Sequence, residues 1–174
     1  MKTLVLTSAA SLLLISSIAR AEPIGADDRA AIIDTITDIA AGADRRQWDR
    51  VRGAFADTVT LDYTGLWGGE PTTQPAEAVI RQWSAFLPGF DRTLHLVSNH
   101  AIVESAGPTV VAEADFQAVH RIGAESWVLM GHYRYDLTKI DGTWKVSRLV
   151  MTPAHETDNR ALVNRAAERA GQPG

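Results

Sequence analysis

Among the side chains of types that move protons, four stand where they could act together: Asp44, Tyr63, His95 and His120. Asp44 stands in Gly42-Ala43-Asp44-Arg45-Arg46-Gln47-Trp48-Asp49-Arg50, between two amphipathic segments. His95 lies between Leu94 and Leu96 and shares an alternating face with Thr93, Val97 and Asn99, while His120 closes a face made of Val110, Ala112, Ala114, Phe116 and Ala118. Tyr63 alternates with Val59 and Leu61. Neutral imidazole is an available base near neutral pH. A carboxylate on its other ring nitrogen fixes the tautomer and stabilises the imidazolium that forms. A second histidine or a tyrosine can protonate a leaving group or polarise a carbonyl. Each residue also has a purely structural reading. Gly42 would end one helix, with Asp44 as N-cap of the next and Gln47 as its capping-box partner. A histidine on an apolar face is then a hydrogen-bonded core residue. His100 and His132 read as structural and His155 as a loop residue.

Composition narrows the classes. Residues 1–21 have the layout of a secretory signal peptide: Lys2, an apolar run from Leu4 to Ile18, and a small-x-small cleavage site at Ala19-Arg20-Ala21. Its removal would place the mature protein in the periplasm or outside the cell, with no stable membrane anchor. It would also take away Lys2 and Arg20, moving the formal net charge from −4 to −6. With no basic excess, binding to nucleic acid through phosphates is not expected. The sequence has no cysteine, so disulfides, thiolate metal sites and cysteine nucleophiles are excluded. The five histidines form neither H-E-x-x-H nor H-x-H, and no metal or organic cofactor is expected.

The elements that must position these groups follow from periodicity. Ile32, Ile33, Ile36, Ile39 and Ala40 make a helical stripe, and a second short helix carries Trp48, Val51 and Phe55 on one side. Val59 to Tyr63 alternates as a strand, Thr64 to Pro75 reads as a loop, and Pro75 to Phe86 as a third helix stopped by Pro88-Gly89. Four strands follow: Thr93 to Glu104, Thr109 to Arg121, Ser126 to Ile140 and Thr143 to Met151, with a hairpin at Asp141-Gly142. Pro153 is expected to end the sheet, and Glu156 to Ala170 to form a polar C-terminal helix before a loose tail. The expectation is one α+β domain over residues 22–153, with helices on one face of an antiparallel sheet, and a C-terminal segment over 154–174. An apolar pocket between sheet and helices would take a small ligand. Trp48, Trp83, Phe116 and Met130 are candidates for its walls, beside Phe86 and Trp127.

With those residues in place, the chain resembles the SnoaL-like branch of the nuclear-transport-factor-2-like superfamily. Within it, the likeness is to the scytalone dehydratase and hexachlorocyclohexane dehydrochlorinase type. The likeness runs from about Asp28 to Pro153 and rests on Asp44 to Arg52, Leu61-Asp62-Tyr63, Thr93-Leu94-His95, His120 and Ile140 to Lys145. It implies a cone, a strongly bent sheet wrapped over three helices. It also implies a cofactor-independent β-elimination of water or halide from a small apolar, aromatic or alicyclic substrate. In it Asp44 and His95 match a catalytic dyad, His120 a second catalytic histidine, and Tyr63 a carbonyl-activating tyrosine. Ala43 stands where the dehydratase has its other tyrosine, and Tyr133 falls near its pocket asparagine. The same fold also suits an isomerase or cyclase, or a non-catalytic periplasmic binding or assembly module. A dimer or trimer is expected by analogy.

Overall fold

The computed structural model describes residues 24–171, so the expected leader and the last three residues lie outside the described residues. α1 (Ala26–Asp44) buries Ile32, Ile36, Ile39 and Ala43 along one stripe, and Asp27 and Asp28 sit favourably in its first turn. Gly42 does not end this helix. A Cβ on it would lie 2.7 Å from Val51 Cγ2, so its missing side chain lets α2 (Trp48–Ala54) approach closely. The reversal falls instead at Arg46, whose φ is 56°. Asp44 is therefore the last residue of α1, and no side-chain cap forms on α2, contrary to the capping-box expectation.

Phe55, expected on the second helix, opens β1 (Phe55–Asp62). The stretch expected as a loop holds two short elements, α3 (Thr64–Trp67) and β2 (Thr72–Pro75), the latter paired with β1. α4 (Ala76–Phe86) starts after Pro75 as expected and runs into a 3₁₀ turn, Leu87–Gly89. The long strands are β3 (Arg92–Ala106), β4 (Thr109–Ile122), β5 (Glu125–Ile140) and β6 (Thr143–Asp158), followed by α5 (Leu162–Ala170).

The class is α+β, with one open sheet ordered β2-β1-β6-β5-β4-β3 and the helices on its N-terminal side, the cone arrangement. Every pairing is antiparallel except β1 with β6, which is parallel, so the sheet is mixed. Pro153 does not end β6. It sits where the β5–β6 register slips, between Met130 opposite His155 and Gly131 opposite Pro153, and a bulge tolerates a residue with no N–H. The C-terminal helix is correspondingly shorter than expected.

α1 is tied to the sheet at both ends, and this aims Asp44. Near its start, Asp28 accepts hydrogen bonds from Lys139 Nζ at 2.6 Å and Trp144 Nε1 at 2.9 Å, on the β5–β6 hairpin. Further along, Arg29 donates to the His100 carbonyl of edge strand β3 at 3.3 Å. At its end the Asp44 carboxylate accepts the His95 backbone N–H at 2.7 Å. Main-chain groups of the sheet edge, which would otherwise invite another strand, are thus met by helix side chains.

Candidate active site

Asp44 holds His95 from both sides of its carboxylate. Oδ2 takes the backbone N–H of His95, while Oδ1 lies 2.7 Å from His95 Nδ1 and takes the Thr93 hydroxyl at 2.9 Å. The Asp44 and His95 side chains keep only 9 % and 16 % of their exposure. Burial raises the Asp44 carboxyl, but the His95 ring, the His95 N–H and the Thr93 hydroxyl outweigh it and leave the group below the usual carboxylate range. A carboxylate at Nδ1 keeps the ring proton there, so Nε2 is the lone-pair nitrogen. His95 lines a cavity of ≈ 140 Å³ that Asp44 does not line.

His120 lines the same cavity, edge to face with His95 at 5.1 Å between ring centroids. It lies against Phe90 at 4.9 Å and Trp127 at 4.7 Å, and its Nδ1 is buried without a hydrogen-bond partner. Burial, and then the neighbouring His95 ring, push its pKa down to about 3. The ring is therefore neutral wherever the protein works, a hydrogen-bonding group rather than a charge. The alternation on β4 is as the sequence suggests: Val110, Ala112, Ala114, Phe116, Ala118 and His120 are all buried. On β3 the face changes midway. Asn99 has φ 55° and the β3–β4 register slips between Ser98 and Ala101, so Asn99 leaves the face of Thr93, His95 and Val97.

Tyr63, Trp83 and Tyr133 line the cavity with the two histidines. Trp48, Phe116 and Met130 do not. Trp48 belongs to α2, which packs on α1 and α4 and contributes no lining residue. Phe116 is on the inner face, but its ring stacks on Tyr133 at 4.2 Å and crowds the space beside Gly131. Met130 shares the outward face of β5 with His132 and Arg134, opposite to Trp127, Leu129, Tyr133 and Tyr135. Tyr135 was not among the sequence candidates, although strict alternation with Tyr133 marks it. Trp67 was hidden in the stretch read as a loop. It reaches the cavity from α3 while 51 % exposed, with the Arg160 guanidinium 5.0 Å above its ring. Arg160 also donates to the Leu66 carbonyl at 2.7 Å and pairs with Glu156, which accepts Trp127 Nε1 at 2.7 Å.

Against known proteins, the SnoaL-like domain family matches residues 25–150, most of the chain. The chain belongs to that family. Among curated proteins, scytalone dehydratase arp1 of Aspergillus fumigatus is 26 % identical over 136 residues, covering 72 % of this chain and 81 % of that one. Among solved structures, the Kfla4162 protein of Kribbella flavida superposes with a TM-score of 0.75 at 23 % identity, covering 79 % of this chain and 97 % of that one. Hexachlorocyclohexane dehydrochlorinase LinA-type3 of Novosphingobium barchaimii gives 0.63 at 21 %, over 77 % and 91 %. At these identities the solved structures establish the fold alone.

Proposed function

We propose that this SnoaL-like protein is a small-molecule lyase that eliminates water or halide from a β-substituted ring compound. The observation that carries the reading is His95, held by Asp44 at Nδ1 while its ring lines a mostly apolar cavity. Nε2 takes the proton from the carbon beside the leaving group. The C–H electron pair becomes the new double bond, and the bond to the leaving group breaks with its pair. Asp44 stabilises the resulting imidazolium, which the low-dielectric wall would otherwise disfavour. His120, being neutral, supports the departing oxygen or halide by hydrogen bonding. For water as product, the His95 imidazolium returns the proton to the departing hydroxide; for halide, it releases the proton to solvent after the product leaves, so in both cases the enzyme ends unchanged. Tyr63 polarises the substrate. The family name and the dehydratase relative support this class, and the leader-like N-terminus supports export to the periplasm or beyond.

The test is product analysis on β-hydroxy and β-halo ring compounds with the wild type and His95→Ala. Elimination by the wild type, falling about 10²–10⁴-fold in the variant with circular dichroism unchanged, is the expected result. Products of unchanged mass would instead make the protein an isomerase. Ligand binding without turnover, indifferent to Asp44→Asn, would make it a binding module.

A further inference from the structure

Beside the inner cavity lies a second recess of ≈ 300 Å³, and the two share three residues, Tyr63, Trp67 and Trp83. Where the inner cavity is mostly apolar, the recess has Glu70, Thr72 and Gln74 from the stretch after β1 and Gln82 from α4. The chain fixes Trp67 at the border of these two spaces. Asp62 accepts the Thr64 hydroxyl at 2.7 Å and the Thr64 N–H at 3.3 Å, which starts α3. Gly68 and Gly69, with φ of 73° and 77°, turn the chain back toward β2 directly after the indole. Arg160 holds the ring from above at 5.0 Å. An indole so fixed, and still 51 % exposed, is a rigid platform left half in water.

The lining decides what chemistry the recess takes. Gln74 and Gln82 bond to each other through both amides, Nε2 to Oε1 at 3.1 Å and 3.0 Å. Each amide spends one N–H and one carbonyl lone pair on the other, which fixes its orientation and leaves one of each for a ligand. Donors and acceptors set side by side suit hydroxyl groups, which both give and take hydrogen bonds. A charged group is served less well. Among the described residues Glu70 is the one charged side chain of the lining, and it repels an anion. A cation is drawn to an indole face, but on Trp67 the Arg160 guanidinium already stands there and opposes a second positive charge. A sugar or polyol matches what remains, with C–H faces for the indole and hydroxyls for the amides and Thr72.

We propose that this recess is a subsite for a neutral, hydroxyl-rich substituent, so that the substrate is a small ring joined to a sugar or polyol. The ring occupies the inner cavity, the hydroxyls meet Gln74, Gln82 and Thr72, and Tyr63, Trp67 and Trp83 form the collar between the two parts. This rests on the reading of the inner cavity as the place of the reacting ring and extends it. The volumes agree with that division, ≈ 140 Å³ inside against ≈ 300 Å³ outside. Neither His95 nor His120 lines the recess, so the outer part anchors the ring without touching the reacting atoms. Binding energy from such a remote part is available to orient the reacting centre.

The experiment is calorimetric titration of the full chain with phenyl β-D-glucopyranoside and with methoxybenzene, which keeps the ring and the ether oxygen and lacks the sugar. Their aromatic rings carry no group to eliminate, so binding alone is read. The glucoside should bind at least about tenfold tighter than methoxybenzene. Gln74→Leu and Gln82→Leu should each cut that preference about 3- to 10-fold, with circular dichroism unchanged. His95→Gln should keep the preference. Equal binding of the two compounds by the wild type would overturn the proposal, as would a preference that survives both glutamine changes. So would tighter binding of phenethylamine than of the glucoside, lost in Glu70→Gln, which would make the recess a cation site. If β-hydroxy or β-halo ring compounds are turned over and the glucoside is not preferred, the subsite fails and the lyase reading stands. If the preference is present and no ring compound is turned over, the subsite stands and the lyase reading fails.

Discussion

Among the described residues are two Asp–His pairs of the same length on opposite faces of one sheet. Inside, Asp44 Oδ1 and His95 Nδ1 are 2.7 Å apart; outside, Asp115 Oδ1 and His132 Nδ1 are also 2.7 Å apart. In both, the carboxylate has a further donor, Thr93 and the His95 N–H for Asp44, Asn99 Nδ2 at 2.7 Å for Asp115. What differs is the surroundings. The inner side chains are 16 % and 9 % exposed for histidine and aspartate, the outer ones 65 % and 46 %. The outer imidazole meets water that competes for every interaction it makes, and a proton it accepts is shared with solvent. The inner one meets a mostly apolar wall, a second histidine and three tyrosines. A short carboxylate–imidazole contact is therefore not what marks a catalytic site here; the face of the sheet is.

Exchanging the two aspartates is the strongest way to break that contrast. In Asp44→Asn, keeping an oxygen on the His95 N–H turns the amide nitrogen toward Nδ1 and Thr93. A donor at Nδ1 drives the ring proton to Nε2, the nitrogen proposed as the base, and the base is gone. Turnover should drop at least about a hundredfold, with a smaller loss of stability from the mismatched contacts. Asp115→Asn keeps its Asn99 neighbour and water, and should leave turnover within about twofold, as surface changes of this kind do. Equal losses in the two variants would mean that the outer pair supports the site. Steady-state kinetics and thermal melts on both variants decide it.

How much of this was legible beforehand depends on the distance over which each feature is determined. The face of His120 could be read from β4 because alternation is local, and it holds from Val110 to Ile122. The face of Asn99 could not, since the bulge beside it is a property of two strands in register. The structural reading of Asp44 as a cap fails because Gly42 only looks like a helix terminator. Its real constraint is the Val51 side chain nine residues on, a packing contact that no local rule expresses. The contact of Asp44 with His95 spans 51 residues, and only the likeness to a family suggested it. Tyr135 was legible and overlooked: it alternates with Tyr133, and both were visible on the face shared with Trp127 and Leu129. Pro153 misled because the register slip that accommodates it lies on β5 as much as on β6.

The neutral His120 sharpens the comparison through pH. Its folded pKa is about 3 against an ordinary value near 6.5, so the unfolded chain binds a proton that the native chain refuses. Stability from this group is fully present above pH 6.5 and is lost as the pH falls from there toward 3. The slope is about 1.4 kcal/mol per pH unit for one proton. Asp44, also lowered, adds its own loss only below the ordinary carboxylate range. Denaturant midpoints at pH 7, 6 and 5 should therefore fall more steeply for the wild type than for His120→Asn, by about one proton's worth. Parallel lines would mean that the cavity admits enough water to protonate the ring in the native state.

The smallest effect is expected outside, and salt is the way to see it. Asp115 is held below the usual carboxylate range by the Asn99 amide and then by the His132 ring, all in contact with solvent. Ions within a Debye length of about 10 Å at 0.1 M screen such a pair. A double-mutant cycle with Asp115→Asn and His132→Ala should give a small coupling at low salt that disappears as salt is raised. The corresponding cycle on Asp44 and His95, two groups that counter-ions reach poorly, should give a larger coupling that salt leaves in place. If both couplings decayed together with salt, the inner pair would be as well solvated as the outer one. The difference in burial would then no longer separate a site from a surface contact.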